Sequence, residues 1–324
     1  MAKSWGDLVD GVKGGDLRSL ARMITRVENR ASGWKAAMKA IYPAAGRARV
    51  FGITGSPGAG KSTLTNKVAL GLVEKGFRVG IIAVDPSSPF SGGALLGDRL
   101  RMGDIATKEG IFIRSMATRG ALGGLCQGAR DVSRILDAYG MDIVLIETVG
   151  VGQDEIEVVK AADLVMVICV PGQGDGIQAL KAGIMEIADV FVVNKADREG
   201  ADEVVADISM MLELSSEADG KKPPVMKTSA LNGDGIECLV DTIIEMSEGK
   251  QRPEAQEEER IREEILLLLE REVALYVRKV WAHNGSLQAA VEQVLQGKSD
   301  PYTIAEEMIS VIRDRSSGET RGKA

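Results

Sequence analysis

Short apolar runs alternate with amphipathic stretches from Val50 onward. The runs, rich in valine and isoleucine, cover residues 50–54, 79–85, 111–115, 142–148, 164–170 and 190–195, with a last one at 224–230. Near-continuous runs of this kind are typical of strands covered on both faces of a parallel sheet. Helical patterns separate them, for example over 61–75 and 177–188. The alternation predicts an α/β domain with a mostly parallel sheet sandwiched by helices.

Helical patterns also flank this domain on both sides. In the N-terminal segment, Asp16 is placed to cap a helix whose apolar positions recur at helical spacing: Leu17, Leu20, Ala21, Ile24 and Val27. After Arg252-Pro253, a charged helix carries one apolar stripe: Ile261, Ile265, Leu269, Val273, Tyr276 and Val280. A stripe outside the main domain needs a partner surface, which the chain's own central domain or a second copy of the chain can supply. We expect an N-terminal helical segment over 1–46, a central domain over 47–250, and a helical arm over 251–324 with a disordered tail.

Composition narrows the class of protein. The 324 residues are 44% hydrophobic and 27% charged, as in a globular protein. A net charge of -7 and a pI of about 5.1 argue against a nucleic-acid binder. Cys126, Cys169 and Cys238 show neither metal-like spacing nor a disulfide framework. The sequence has no apolar signal core at its N-terminus and no run of 18 apolar residues. We therefore expect a cytoplasmic protein that does not bind membranes.

A glycine-rich motif lies between the first strand and the following helix. It matches GxxxxGK[ST] and consists of Gly55, Ser56, Pro57, Gly58, Ala59, Gly60, Lys61 and Ser62, followed by Thr63. The glycines let successive backbone N–H groups point at phosphate oxygens, and the helix start adds its positive dipole end. Lys61 would reach the β- and γ-phosphates, and the Ser62 hydroxyl would bind Mg²⁺. The motif and its context predict a nucleotide phosphate site.

A second motif indicates which base is bound. Residues 194–197 read Asn-Lys-Ala-Asp after a predicted strand. Asp197 can accept both N1–H and N2–H₂ of guanine, and adenine offers neither donor at those positions. Asn194 would tether nearby loops, and the Lys195 stem would cover the base. Backbone N–H groups of Ser229, Ala230 and Leu231, after the last short run, are candidates to meet the guanine carbonyl.

Three acidic residues at strand ends or in loops are candidates for metal binding and catalysis together with Lys61. Glu147 ends a strand and precedes Gly150, whose N–H is placed to bond the γ-phosphate. Asp85 ends the second predicted strand, and its alternative role is a turn former before Pro86. Asp98 lies in a polar loop, and its alternative role is a helix N-cap. Because Gln153 is not adjacent to Gly150, no residue is assigned to the catalytic water, and we expect slow turnover.

Two glycine-rich segments are candidate mobile loops. Residues 119–124 follow a strand and carry Arg119, and residues 171–178 follow the strand that ends at Val170. The first can be a switch loop that orders on a bound triphosphate, with an ordinary flexible loop as its alternative. The second is interpreted as a loop that moves or meets a partner.

These motifs together resemble the methylmalonyl-CoA mutase-associated GTPase family, which includes MeaB, bacterial ArgK and their mitochondrial relative. The matching pieces run in order through residues 50–197: GITGSPGAGKST, AVDPSS, GDRLRM, ETVGVGQ, PGQGD with Gln178, GIMEIAD and NKAD. The helical segments on either side fit the family's outline as well. One departure is Gly176-Ile177, where relatives tend to have Glu-Leu.

The resemblance implies a slow GTPase of the class that includes signal-recognition and MinD-like proteins, with GTP or GDP and Mg²⁺ bound. It implies that Lys61, Ser62, Asp85, Asp98 and Glu147 serve phosphate and metal, that the NKAD residues hold guanine, and that residues 171–181 form a switch. It also implies a homodimer formed through the C-terminal arm. The implied partner is an adenosylcobalamin-dependent acyl-CoA mutase, whose cofactor loading the GTPase gates and which it protects from inactivation. A cobalamin adenosyltransferase is a further implied partner.

Two other functions remain open from the residues. The first is a P-loop kinase or ATPase that phosphorylates an amino acid or a transport component, although no acceptor base can be assigned. The second is a nucleotide-dependent scaffold that does not hydrolyse its ligand.

Overall fold

The computed structural model describes residues 3–85, 105, 107–117, 124–148, 162–172, 187–215, 222–248, 254–283 and 286–319. The chain divides into two compact units, Met1–Gln251 and Arg252–Ala324. The first contains the sheet and the N-terminal helices, and the second is helical. None of the described helices is long and apolar enough to cross a membrane.

The described residues of the first unit contain a sheet of seven strands. In chain order the strands are β1 (Arg49–Gly55), β2 (Val79–Asp85), β3 (Ile111–Ala117), β4 (Ile143–Glu147), β5 (Leu164–Cys169), β6 (Val190–Val193) and β7 (Val225–Lys227). All neighbours pair in parallel, in the order β3-β2-β4-β1-β5-β6-β7. The predicted α/β fold with a parallel sheet is therefore confirmed.

Helices cover both faces of the sheet in the first unit, and the second unit has helices of its own. In the first unit they are α1 (Trp5–Lys13), α2 (Leu17–Glu28), α3 (Trp34–Ile41), α4 (Lys61–Glu74), α5 (Gly124–Tyr139), α6 (Ala201–Ser215) and α7 (Ile236–Glu248). In the second they are α8 (Glu254–His283), α9 (Ser286–Leu295) and α10 (Pro301–Glu319). A short 3₁₀ turn, Tyr42–Ala44, follows α3. The helix predicted over 177–188 falls almost entirely outside the described residues, and α10 extends five residues into the tail that was predicted to be disordered.

Aspartates fix the strand starts at the edge of the sheet opposite the glycine-rich motif. Each lies directly before a strand and accepts a backbone N–H from a neighbouring chain segment. The pairs are Asp142 Oδ2 with Arg78 N at 2.7 Å, Asp163 Oδ2 with Val50 N at 2.7 Å, and Asp189 Oδ2 with Val165 N at 2.9 Å. Because a strand's first N–H groups can lie beyond the ladder, these carboxylates satisfy donors that would otherwise be left without a partner.

The N-terminal helices pack against one face of the sheet through α5. Leu20, Met23, Ile24 and Val27 of α2 are at most 1% exposed and share an apolar cluster with residues of α5, β2 and β4. Leu17 differs from the predicted stripe because it is 56% exposed. Leu17 is the first residue of α2, at the point where the chain has just turned away from α1. The helical spacing of the stripe is confirmed by the structure. The spacing alone does not show that the buried face of α2 begins at Leu20, one turn after Leu17.

Two partly buried ion pairs join the N-terminal helices to the rest of the first unit. Arg30 Nη1 lies 2.7 Å from Asp131 Oδ2 of α5, and the Asp131 side chain is only 5% exposed. Arg30 also stacks on the Trp34 ring at 4.1 Å, with a left-handed backbone φ of 50°. The second pair joins Glu28 to Arg114 of β3. Each pair spans more than 80 residues of sequence, so they fix the position of α2 on the domain.

The stripe on α8 is exposed in the structure. The described members are between 40% and 58% exposed: Ile261, Ile265, Leu269, Val273 and Tyr276. The Val280 side chain lies outside the description. A long row of exposed apolar side chains is typical of an interaction surface.

We expect Arg30→Ala to destabilise the protein by about 3 kcal/mol, because it takes the guanidinium partner away from a nearly buried carboxylate. Urea unfolding followed by circular dichroism measures this loss. The double variant Arg30→Met with Asp131→Leu should recover most of it, since the charge is then removed from both sides.

The exposed pair Lys227–Asp202, 2.8 Å apart, provides the control. Lys227→Ala should cost less than about 1 kcal/mol. Equal losses for Arg30→Ala and Lys227→Ala would contradict a structural role for the buried pair.

Candidate functional site

The glycine-rich motif forms the loop between β1 and α4. Gly55 has a φ of 138°, and a side chain there would collide with the backbone carbonyl of Ile168 in β5. Gly58 and Gly60 have φ values of 75° and 84°, in the left-handed region that favours glycine. The glycines therefore let the loop turn tightly at the carboxyl end of β1 and lead directly into the N-terminus of α4.

Lys61 lies over this loop with its side chain buried. Its Nζ donates to the carbonyl oxygens of Gly55 at 2.7 Å and Ser56 at 3.0 Å. As the first residue of α4, it places its ammonium beside the positive end of the helix dipole. Both features concentrate positive potential at the loop, which suits a polyphosphate.

Ser62 and Glu147 bring two oxygen groups together next to the loop. The Ser62 hydroxyl donates to Glu147 Oε1. Glu147 is 6% exposed and ends β4, the strand beside β1, with Ile53 as its register partner. Hydroxyl and carboxylate oxygens are the ligands that Mg²⁺ prefers, so this pair fits a magnesium site. Within the described part of the chain, no three acidic, histidine or cysteine residues are grouped closely enough to hold a metal.

The remaining candidates for metal and γ-phosphate are only partly visible. Asp85 ends β2, and β2 is the other neighbour of β4, so its backbone reaches the same edge of the sheet. Its side chain is outside the description. Asp98, Gly150 and Gln153 lie outside the described residues, as do most of the two candidate mobile loops.

Asn194 ties the base motif to the phosphate loop. Its Nδ2 donates to the Ala59 carbonyl at 2.8 Å, and its Oδ1 accepts from Ala230 N at 3.1 Å and from Thr228 Oγ1 at 3.3 Å. The side chain is 1% exposed, so these bonds are shielded from water. Lys195, with a left-handed φ of 57°, donates from Nζ to the Gly58 carbonyl at 2.7 Å. Two consecutive residues thus fasten the loop after β6 to the loop after β1.

Asp197 is the exposed acid of this motif. Its Oδ1 accepts a hydrogen bond from Ser229 Oγ at 2.6 Å. That bond, followed by one from its own backbone N–H, lowers the pKa of Asp197, and the charges of Arg198 and Lys195 act in the same direction. The carboxylate therefore stays ionised and is held in one orientation, as required to accept two N–H groups from a base.

The backbone N–H groups of Ser229, Ala230 and Leu231, the candidates to bind the guanine carbonyl, differ in the acceptors they already have. Ser229 N donates to the Asp234 carbonyl at 3.0 Å, and Ala230 N to Asn194 Oδ1. Leu231 is 81% exposed, and its N–H has no acceptor among the described residues. Ser229 thus contributes its hydroxyl, and Leu231 has the available amide. The contacts of Thr228 with Asn194 and of the Ser229 hydroxyl with Asp197 were not predicted from the sequence. The position of both residues directly after a predicted strand could have indicated that they lie near the NKAD residues.

Comparisons with known proteins agree with this geometry. The family described as "Methylmalonyl Co-A mutase-associated GTPase MeaB" matches residues 20–283. A protein of Pyrococcus horikoshii, whose name assigns it provisionally to the GTPases, is 46% identical over 315 residues, which is 95% of this chain and 98% of the relative. The GTPase ArgK of Escherichia coli is 40% identical over 71% of this chain and 72% of its own. A solved structure titled "LAO/AO transport system kinase" superposes with a TM-score of 0.70 at 26% identity, covering 95% of this chain and 97% of that one.

Gly60→Ala should weaken guanine-nucleotide binding by at least about tenfold, because the added Cβ would lie 2.7 Å from Asn194 Nδ2 and displace the tether. Gly76→Ala is the matched control. Gly76 has a φ of 91°, similar to that of Gly60, but nothing lies within 4 Å of the added Cβ.

Both variants should lose about 1 kcal/mol of stability from the left-handed backbone. Calorimetric titration with GDP separates the two effects, since only Gly60→Ala should change the dissociation constant. If the two variants bound GDP equally well, the proposed importance of the Asn194 contact would be wrong.

Proposed function

The chain belongs to the methylmalonyl-CoA mutase-associated GTPase family, and from this premise we propose that it is a GTP-driven chaperone of an adenosylcobalamin-dependent acyl-CoA mutase. Its relatives include named GTPases, and the chain is a GTPase of the P-loop class. The observation that carries the proposal is the pair of bonds by which Asn194 and Lys195 fasten the base motif to the phosphate loop. They support the proposal because they hold the loop assigned to the phosphates next to the loop assigned to guanine.

We assign the phosphates of GTP to the loop over residues 55–60 and to the N-terminus of α4. When a nucleotide binds, Lys61 exchanges its bonds to the Gly55 and Ser56 carbonyls for bonds to phosphate oxygens. The residues proposed to hold Mg²⁺ are Ser62, Asp85, Asp98 and Glu147. The bound ion would neutralise charge on the β- and γ-phosphate oxygens. Gly150 is assigned to the γ-phosphate.

We assign the guanine base to the loop after β6. Asp197 accepts from N1–H and N2–H₂, Lys195 covers the base with its stem, and the Leu231 amide donates to the guanine carbonyl. Ser229 acts through Asp197 by orienting it, and Asn194 acts by holding the two loops together. No residue is assigned to activate water, and we propose slow turnover until a partner is bound.

We expect Asp197→Asn to weaken GTP binding roughly 100-fold. The asparagine oxygen can accept from only one of the two guanine N–H groups, and the asparagine NH₂ group would face the other, so that two donors oppose each other. Xanthosine triphosphate, which presents a carbonyl at the position of the guanine amino group, should gain affinity. Competition against a fluorescent GDP analogue measures both changes. Asp202→Asn, five residues away on α6, is the control and should behave as wild type. Unchanged GTP affinity in Asp197→Asn would overturn the guanine assignment.

The chaperone role is supported by the family's printed description, which ties it to methylmalonyl-CoA mutase. We propose that GTP hydrolysis gates loading of adenosylcobalamin into the mutase and protects the mutase from inactivation. A cobalamin adenosyltransferase would supply the cofactor in the same assembly, in the cytoplasm. The kinase-titled structure supports a second candidate, a P-loop kinase that acts on a transport component.

The two functions predict different responses to nucleotides and to the mutase. As a chaperone, the chain should prefer GTP to ATP and hydrolyse it slowly, and the methylmalonyl-CoA mutase of the same organism should accelerate release of phosphate by tenfold or more. Lys61→Ala should abolish hydrolysis with and without the mutase while the circular dichroism spectrum stays unchanged. Preference for ATP with labelled phosphate transferred to an acceptor would instead support the kinase.

We further propose that the arm over residues 251–324 forms a homodimer, with residues 1–46 as a helical segment packed on the GTPase domain over 47–250. The exposed stripe on α8 supports this, because its apolar side chains extend over four turns of helix. Two such stripes packed together could bury the roughly 800 Å² per partner that a stable interface needs.

The double variant Ile265→Asp with Leu269→Asp should convert the dimer to a monomer, because it places charges in the centre of the apolar contact. Light scattering after size exclusion gives the mass directly. Leu214→Asp on α6, where the side chain is 78% exposed, is the control and should leave the mass unchanged. A wild-type chain that is monomeric at high micromolar concentration would contradict the dimer.

A further inference from the structure

The charge of this chain is unevenly distributed. Residues 1–49 contain 10 Lys and Arg against 4 Asp and Glu, a formal charge of +6, whereas the whole chain carries -7, so residues 50–324 carry -13. The N-terminal helices therefore form a basic region on an otherwise acidic protein. An asymmetry of this kind indicates an electrostatic role in association.

Several of the basic residues already have a partner inside the protein. Lys3 pairs with Asp16 at 2.8 Å, Arg30 pairs with Asp131, and Arg49 donates to Ser247 Oγ at 2.8 Å. Arg26 stacks on the Trp5 ring at 4.1 Å, and Lys35 lies near the Trp34 ring. These side chains serve the fold, so they are not available for a long-range interaction.

Of the five other basic residues in this segment, three lie on one corner of the α1–α2 pair, and Lys39 and Arg47 lie later in the chain. Lys13 ends α1, and Arg18 and Arg22 lie on successive turns of α2. All three are exposed and have no ion-pair partner within the described structure. Leu17, 56% exposed, lies between them in the chain. We call Lys13, Leu17, Arg18 and Arg22 the basic corner.

The basic corner is held rigidly. Gly14 N donates to the Asp10 carbonyl and Asp16 N to the Gly11 carbonyl, both at 2.8 Å, which closes the turn. The Asp16 carboxylate accepts from the N–H groups of Arg18 and Ser19, both at 3.2 Å, and so caps α2. With Lys3 also bound to it, this acid does not offset the exposed positive charges. The backbone positions that carry the three cations and Leu17 are thus fixed relative to one another.

We propose that the basic corner is a docking surface for an acidic patch on the partner mutase. The inference rests on the proposed function and adds where on this chain the partner is recognised. Arginine is enriched at protein interfaces, and Leu17 supplies exposed apolar area next to Arg18 in the chain. Because the backbone of the corner is already fixed, binding has to order only the side chains. α2 is joined to α5 and β3 by the two ion pairs, so a docked partner has a defined orientation relative to the sheet.

A protein patch fits this surface better than a nucleic acid or a membrane does. A long polyanion would extend beyond the corner toward the rest of the first unit, where residues 50–251 contain 19 Lys and Arg against 29 Asp and Glu. Trp5 and Trp34 of the N-terminal segment are already stacked with Arg26 and Arg30, so these rings are not free to stack on bases. A small acidic patch on a protein would contact only the basic corner.

The test uses the double variant Arg18→Glu with Arg22→Glu and the purified mutase. Arg18 is in the first turn of α2, where a glutamate interacts favourably with the helix dipole, so the helix should be retained. Lys108→Glu with Lys222→Glu is the matched control, because it makes the same change in net charge at two exposed positions elsewhere in the first unit. Association rates are measured by biolayer interferometry at about 50 and about 300 mM salt, which brackets the physiological screening length.

The Arg18/Arg22 variant should associate at least about tenfold more slowly at low salt and lose most of the salt dependence. The control should remain within about twofold of wild type, and both variants should keep the wild-type GDP affinity and unassisted hydrolysis rate. If wild type binds and responds to the mutase but the Arg18/Arg22 variant associates equally fast, this inference is wrong and the proposed function stands. If wild type does not bind the mutase, both are overturned. Tighter, corner-dependent binding to transfer RNA or to phosphatidylserine vesicles would also overturn it.

Discussion

The site depends above all on one buried amide. Asn194 joins the end of β6 to the phosphate loop and to the chain after β7 through three hydrogen bonds. With the side chain shielded from water, each bond forms in a medium of low polarity, and each group that lost its partner would remain unsolvated. The relative position of phosphate loop and base loop is therefore set by the protein before any nucleotide arrives. A preorganised pocket of this kind loses less entropy when it binds its ligand.

The strand order explains why these residues meet. β1 lies in the middle of the sheet, with β4 and β2 on one side and β5 and β6 on the other, so the chain reverses direction across the sheet at the phosphate loop. Ligands of parallel α/β proteins bind at such a reversal, outside the carboxyl ends of the strands. Glu147 reaches the loop from one side and Asn194 from the other. The residues proposed to bind metal and those proposed to bind the base thus lie on opposite sides of β1.

Local signals in the sequence were sufficient for the sheet, the phosphate loop and the family. Runs of valine and isoleucine determine the strands because both faces are buried, and the GxxxxGK[ST] spacing is fixed by the backbone it must produce. Contacts between residues far apart in the chain were not accessible in this way. The pairing of Arg30 with Asp131 spans 101 residues, and neither residue type predicts the other. The exposure of Leu17 and the orientation of Asp197 by Ser229 likewise depend on how elements pack, which periodicity does not encode. Candidate residues such as Asp98 and Gly150 stay predictions, because they lie outside the described residues.

The aspartates at the far edge of the sheet have a consequence for how this protein can diversify. Asp142, Asp163 and Asp189 align the strands from their amino ends, where no ligand is expected. The register of these strands is thus fixed by hydrogen bonds at their amino ends, whereas the candidate functional residues lie at the carboxyl ends. Insertions and replacements in the loops at the carboxyl rim can then accumulate over evolution without shifting the strands beneath them. A scaffold built in this way can acquire new client proteins by changing its loops while its core stays the same.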